Sequence, residues 1–181
     1  MKKNFILRVF MVVVLCLSFS FGTFAQDVFN KGDKVVNLGI GIGTYLGYTG
    51  YSNSLLPISG SFEYGIIDNL INGKAGIGVG GYMAYTSWEN KILSNETVSD
   101  FILGARGSFH YQFVDKLDTY VGVMLGYDIV SYSHTDANLS GSGVSFSTYV
   151  GGRYYLTDNI AVFGELGYGI AALELGVSFK F

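Results

Sequence analysis

The last stretch of the chain, residues 173–181, alternates strictly between apolar side chains and polar or small ones. Because successive side chains of a β-strand point to opposite faces, this pattern predicts a strand with one wholly apolar face. A soluble sheet would cover such a face with a second layer, but the chain upstream offers more alternating segments and no amphipathic helix. Lipid is therefore the simplest partner for the apolar residues, which are Leu173, Leu175, Val177, Phe179 and Phe181.

Seven further alternating segments precede this one, so we predict eight strands. They cover residues 34–46, 57–66, 74–86, 98–113, 119–132, 144–156, 160–168 and 173–181. Such lengths suit tilted strands that cross a bilayer. Long polar connections, starting at Gly47, Ser87 and Ser133, alternate with short turns, an asymmetry that is typical of outer-membrane barrels with their longer loops outside the cell. The predicted fold is an all-β, eight-stranded, antiparallel up-and-down transmembrane β-barrel.

The beginning of the chain has the layout of a secretory signal peptide: a basic start, an apolar run and a small residue, Ala25, at a cleavage position. We therefore expect residues 1–25 to be a signal peptide and residues 26–181 to form the barrel. The only cysteine, Cys16, lies in the signal, so the mature chain can form no disulfide and no thiolate metal site. Cleavage also removes three of the 11 cations, which leaves 8 minus 14, or −6. An acidic chain of this kind is a poor candidate for nucleic-acid binding.

A soluble barrel of the lipocalin kind is the alternative fold with the same strand pattern. Such a barrel keeps its apolar side chains inside, so inward-facing Ile40, Val123 and Leu175 would support it. A transmembrane barrel requires the opposite arrangement, with apolar residues outside and charged residues enclosed. The direction of the apolar face therefore decides between the two folds.

Charged residues share the face opposite the apolar one. An eight-stranded barrel is just wide enough for side chains to fill, and an isolated charge inside it would cost several kcal/mol. We therefore predict a bore closed by ion pairs, in which glutamates bridge the two arginines near mid-height, rather than an ion-conducting path. The predicted lumen network comprises Glu63, Arg106, Asp128, Arg153 and Glu165.

Two motifs resemble functional sites but are better explained by the barrel. Gly76, Gly78 and Gly81 spell the dinucleotide-binding pattern, but that motif requires a helix after the glycines, and here an alternating segment continues. A polar loop places His134 close to Asp136 and to two serines, which are the residue types of a hydrolytic triad. Such a site depends on geometry rather than on sequence proximity. We predict no catalytic residue, cofactor or metal site, and we keep a lipid-modifying enzyme as an alternative.

Three segments carry a resemblance to a known family: the hairpin at residues 152–159, the run at 165–169 and the terminus at 175–181. The chain resembles the small outer-membrane β-barrel proteins of Gram-negative bacteria, the OmpA/OmpX-like group, and in particular its glycine- and tyrosine-rich branch common in Bacteroidetes. The resemblance implies a location in the cell outer membrane, surrounded by outer-membrane lipid. It also implies that the barrel-assembly machinery is a partner during insertion, with Phe181, and with it Phe179, as the assembly signal.

This family includes structural proteins, adhesins and a few lipid-modifying enzymes. The sequence favours the interpretation that the protein is a monomeric, integral outer-membrane barrel and not an enzyme. Its role is then structural or mediated by its external loops. A narrow channel for small or apolar solutes is the second possibility, and the lipid-modifying enzyme is the third.

Overall fold

The computed structural model describes residues 29–43, 52–90, 96–133, 141–168 and 171–181. The expected signal peptide and parts of the three long connections lie outside the described residues. In the ranges that are described, no helix has the length and apolar character required to cross a membrane.

The described residues form a single closed sheet of eight antiparallel strands in sequence order. A four-residue helical turn, α1 (Leu70–Gly73), joins the second strand to the third. The predicted fold class is confirmed. The strands are β1 (Lys34–Ile42), β2 (Ser52–Asn69), β3 (Ala75–Asn90), β4 (Glu96–Val114), β5 (Leu117–Tyr132), β6 (Gly143–Tyr155), β7 (Ile160–Gly167) and β8 (Leu173–Lys180).

The barrel closes where β8 pairs with β1. Along this seam Val35 stands opposite Lys180, and Ile42 stands opposite Leu173. Because the sheet has no free edge, the backbone N–H and C=O groups of its strands are paired within it, as a sheet in hydrocarbon requires. The alternating C-terminal segment therefore supplies the closing strand.

The apolar face of the sheet points outward and the charged face points inward. Ile40, Val123 and Leu175 are 54%, 51% and 49% exposed, respectively, whereas Arg153 is 1% exposed. A soluble barrel would show the reverse, so the lipocalin-like alternative is wrong. The outer surface is instead one that hydrocarbon can cover.

The two ends of the barrel differ. At the turn end lie α1, the connections 115–116 and 156–159, and the described residues that precede β1. The loop end, opposite to it, carries the other four connections.

Four neighbouring strands, β2 to β5, are longer than the other four. They contain 18, 16, 19 and 16 residues, whereas β6 contains 13 and β1, β7 and β8 contain 9, 8 and 8. A tilted strand needs only roughly 9–11 residues to cross a bilayer. One side of the wall therefore rises beyond the apolar band at the loop end.

At the loop end, β2, β3 and β4 extend further than the predicted strands 57–66, 74–86 and 98–113. The second strand was expected to start at Pro57, because proline cannot donate to the ladder, but β2 starts at Ser52. It accommodates Pro57 at a register shift between Leu55 and Ile58. A bulge tolerates the missing donor, and the ladder resumes beyond it.

An apolar cluster supports the extra length at the loop end. Trp88, Val98 and Val130 are buried together, and Tyr132 packs against them. Their burial stabilises the backbone pairing at the loop ends of β3, β4 and β5.

Candidate functional site

Four side chains at the turn side of the bore form a closed ring of ionic contacts, which we call the ring cluster. Arg153 Nη1 donates to Asp118 Oδ2 at 2.9 Å, and Arg153 Nη2 pairs with Glu63. On the opposite side, His110 Nδ1 lies 2.8 Å from Asp118 Oδ1, and His110 Nε2 lies 3.1 Å from Glu63 Oε1. All four residues are at most 2% exposed. Each carboxylate therefore bridges the arginine and the histidine.

The contacts of the ring cluster constrain its protonation. A neutral imidazole has a single N–H donor, so with both carboxylates ionised the two contacts of His110 are satisfied only by an imidazolium ring that carries both N–H groups. The ring cluster then holds two positive and two negative charges. This balance allows four ionisable groups to be enclosed together.

Arg153 has further partners that fix its position. Its Nε donates to Asn37 Oδ1 at 3.3 Å, and its guanidinium carbon lies 4.5 Å from the centre of the Tyr120 ring. The amide and the aromatic face complete the surroundings of a side chain that has no access to solvent.

A second ion pair crosses the bore nearer the loop end. Arg106 Nη2 donates to Glu165 Oε2 at 2.7 Å, and the hydroxyl of Tyr120 donates to the same oxygen at 3.1 Å. The guanidinium carbon of Arg106 lies 3.8 Å from the centre of the Tyr149 ring. These contacts connect β4, β5, β6 and β7 across the interior.

A third glutamate lies beside this pair. Glu174 stands opposite Glu165 in the ladder between β7 and β8. It accepts hydrogen bonds from the hydroxyls of Tyr82 and Ser59, the latter at 3.1 Å. A cavity of about 20 Å³ remains among these side chains, which is room for one water molecule. The described side chains thus fill the bore at this level.

Glycines of the inner wall provide the room for the aromatic side chains. A Cβ atom added to Gly122 would overlap the ring of Tyr149, and one added to Gly151 would lie 2.6 Å from Tyr120 Cζ. The tyrosines can therefore lie flat against the wall and reach the ion pairs only because these positions lack a side chain. Packing therefore explains the glycines at these two positions.

The structure brings four of the five predicted lumen residues into the two groups described above. Glu63 and Arg153 belong to the ring cluster, and Arg106 and Glu165 form the crossing pair. Asp128 does not join either group. It stands opposite Ile102 and Gly143, and its Oδ1 is buried without a hydrogen-bond partner among the described residues.

Strand register explains why Asp118 takes the place predicted for Asp128. Asp118 is the residue of β5 that stands directly opposite Arg153. Asp128 is 10 residues further along, and at roughly 3.3 Å per residue this puts it about 33 Å away along the strand. The sequence assigned Asp118 to a turn, but β5 starts at Leu117. Tyr120 and Gly122 face the bore. Because side chains of a strand alternate between its faces, the same alternation places Asp118 on the inner face.

The two phenylalanines assigned to barrel assembly lie at the turn end of the closing seam. Phe179 stands between Val36 and Ile160 on the neighbouring strands. Phe181 has a 75% exposed side chain, and its backbone N–H donates to the carbonyl of Lys34 at 2.9 Å. The last residue is thus hydrogen-bonded to the start of the first strand.

The nucleotide-like glycine motif lies within β3, where no helix follows, so it does not form a phosphate-binding turn. His134 and Asp136 lie outside the described residues, so the triad-like grouping has no described geometry. Within the described ranges, no three His, Cys, Asp or Glu side chains are arranged to hold a metal ion.

No protein-family model and no curated protein matches the sequence. Solved structures do match the fold. Ail, the attachment invasion locus protein of Yersinia pestis, in complex with the heparin analogue sucrose octasulfate, has a TM-score of 0.54 at 12% identity, covering 83% of this chain and 99% of that chain. A de novo designed transmembrane β-barrel has a TM-score of 0.50 at 17% identity, covering 84% and 98%.

The backbone structure of Ail in a phospholipid bilayer nanodisc also matches, with a TM-score of 0.50 at 15% identity over 83% of this chain and all of that chain. At these identities the likeness concerns the fold. The chain is an eight-stranded antiparallel β-barrel with the fold of small outer-membrane barrels, and a location in the cell outer membrane is consistent with that fold.

Proposed function

We propose that this chain is an integral, monomeric protein of the outer membrane with a side-chain-filled bore, and that its role is structural or is carried by its loop end. The observation that carries the proposal is that the barrel has its apolar side chains outside and its charged side chains inside. Leu125 on the outside is 62% exposed, whereas Glu63 and Arg153 inside are at most 2% exposed. Outer-membrane lipid is the partner that suits such a surface.

A closed sheet supports the monomeric state, because it offers no strand edge to a second copy. The position of Phe179 and Phe181 beside the closing seam supports their role as the signal for the barrel-assembly machinery. The composition, with 26 glycines and 14 tyrosines, supports placement in the Bacteroidetes-type branch of the OmpA/OmpX-like group.

Two observations favour a filled, non-enzymatic barrel over the alternatives. Both arginines of the bore are engaged with carboxylates, so neither is left to attract a passing anion. His110 has each ring nitrogen directed at a carboxylate, which leaves no nitrogen to act as a general base. The described bore is therefore organised for packing.

Cell fractionation tests the location. We expect the protein in the outer-membrane fraction, and we expect unboiled samples to migrate differently from boiled samples in a denaturing gel, because a closed barrel resists detergent until it is heated. A soluble periplasmic protein of the same cells serves as the control. Recovery of the chain in the soluble periplasmic fraction would contradict the proposal.

Planar-bilayer recording tests the filled bore. We expect the reconstituted protein to show no ionic current above that of the lipid alone, because Arg106, Glu165 and the tyrosines around them occupy the interior. A known open porin reconstituted in the same lipid provides the positive control. Stable single-channel steps from the heat-modifiable form would support the channel alternative instead.

A further inference from the structure

The described residues that precede β1 fold into the turn end of the barrel. Phe29 is only 6% exposed, although it precedes the first predicted strand. Its ring stacks on the imidazole of His110, with 3.8 Å between ring centroids and 14° between ring planes. Phe29 therefore covers the turn side of the ring cluster.

A small set of backbone contacts holds this segment in place. Gly32 N–H donates to the carbonyl of Gly65, and Gly65 N–H donates to the carbonyl of Asp33, both at 2.9 Å. Asp33 Oδ2 accepts a hydrogen bond from the N–H of Asn30 at 2.9 Å, which closes the turn. Gly32 has a φ of 95°, a conformation that glycine adopts without strain.

The barrel wall is shaped to receive the segment. A Cβ atom added to Gly78 would lie 2.9 Å from Phe29 Cζ. A Cβ atom added to Gly65 would overlap the carbonyl oxygen of Asn30 and lie 3.4 Å from the Cα atom of Lys31. Side chains at these two positions would displace the segment.

The closed sheet does not depend on these contacts. β1 begins at Lys34, and the seam with β8 begins at the pair of Val35 and Lys180. Every strand pairing of the barrel is therefore complete without residues 29–33.

We propose that residues 29–33 form a releasable plug, seated by Phe29, that closes the turn end of the bore and shields the ring cluster from water. Its release would admit water to His110 without opening the sheet. The inference concerns a local opening equilibrium, and it holds whichever role the loop end has.

Two variants test the plug from different directions. Phe29→Ala removes the stacked ring, and Gly65→Ala places a methyl group where the plug backbone lies. In the protein folded in detergent micelles, nuclear magnetic resonance follows deuterium exchange of the amides of residues 32 and 65. We expect exchange to become about tenfold faster or more in both variants, since a buried aromatic contact of this kind is lost or displaced. We also expect the imidazole N–H signals of His110 to broaden through exchange with water.

Matched controls use the same changes on the outer face. Phe113→Ala removes an exposed turn-end ring, and Gly60→Ala adds a methyl group whose nearest neighbour would be 3.8 Å away. Neither should change the two amides or the His110 signals. The proposal is overturned if the parent protein already exchanges these amides at the rate of an unstructured peptide. It is equally overturned if both Phe29→Ala and Gly65→Ala keep full protection, whereas faster exchange in either folded variant supports it.

Discussion

Replacing Arg153 with methionine lowers the free energy of unfolding by about 3–5 kcal/mol, because it leaves buried carboxylates without their partner. Arg153 contacts Glu63 and Asp118 at the centre of the ring cluster, and it is 1% exposed. Methionine keeps much of the volume, so the expected loss reflects charge rather than a cavity. Urea unfolding in lipid vesicles, followed by the fluorescence of the single tryptophan, Trp88, measures it.

The control for this prediction is the same substitution at a more accessible cation. Lys180 Nζ lies 3.8 Å from Asp33 Oδ2 in a partly exposed pair. Lys180→Met should cost no more than about 1 kcal/mol, because water and salt screen such a pair. Equal losses at Lys180 and Arg153 would show that the ring cluster has no special role in stability.

Replacing Val123 with arginine destabilises the folded barrel by about 2–4 kcal/mol, the cost of a cation at the middle of the bilayer. Val123 is 51% exposed on the outer face, and it lies between Leu117 at the turn end of β5 and the outward aromatic ring of Tyr127. Its position within the apolar band gives the arginine no short route to the headgroups. The unfolding experiment in vesicles provides the measurement.

The same valine-to-arginine change at the loop end serves as the comparison. Val144 is 76% exposed at the start of β6, opposite Tyr127. There the guanidinium reaches the interface, so Val144→Arg should cost only about 0–1 kcal/mol. Equal costs at the two valines would mean that no hydrocarbon surrounds the barrel at the level of Val123.

Periodicity was enough to predict the number of strands and the direction of each face, because every strand carries the same alternation across the membrane. It could not predict where β2 starts, since the bulge at Pro57 and the burial of Trp88 are tertiary effects. The alternation of apolar and polar residues shows which face of the sheet a side chain lies on, but it does not show how far along the barrel axis that side chain lies. Asp118 and Asp128 share the inner face of β5, and only the register with β6 shows which of them meets Arg153.

Contacts across the bore were harder to predict than contacts along the wall. Arg106 and Glu165 lie on strands that are not neighbours in the sheet, so no ladder pairing relates them. Their pairing was predictable only because few inward charges were available. Phe29 lies outside every alternating segment, so the strand pattern does not predict its burial.

Because the strands differ in length, the loop end of the barrel is higher on one side than on the other. β2 to β5 form a raised wall of hydrogen-bonded strands on one side of the loop end, while β7, β8 and β1 end lower on the other side. A macromolecule that contacts this raised wall meets a surface whose backbone is already held by hydrogen bonds between strands. Binding there therefore removes little conformational freedom. Macromolecules that bind at the loop end should therefore favour the side of the barrel formed by β2 to β5 over the other sides.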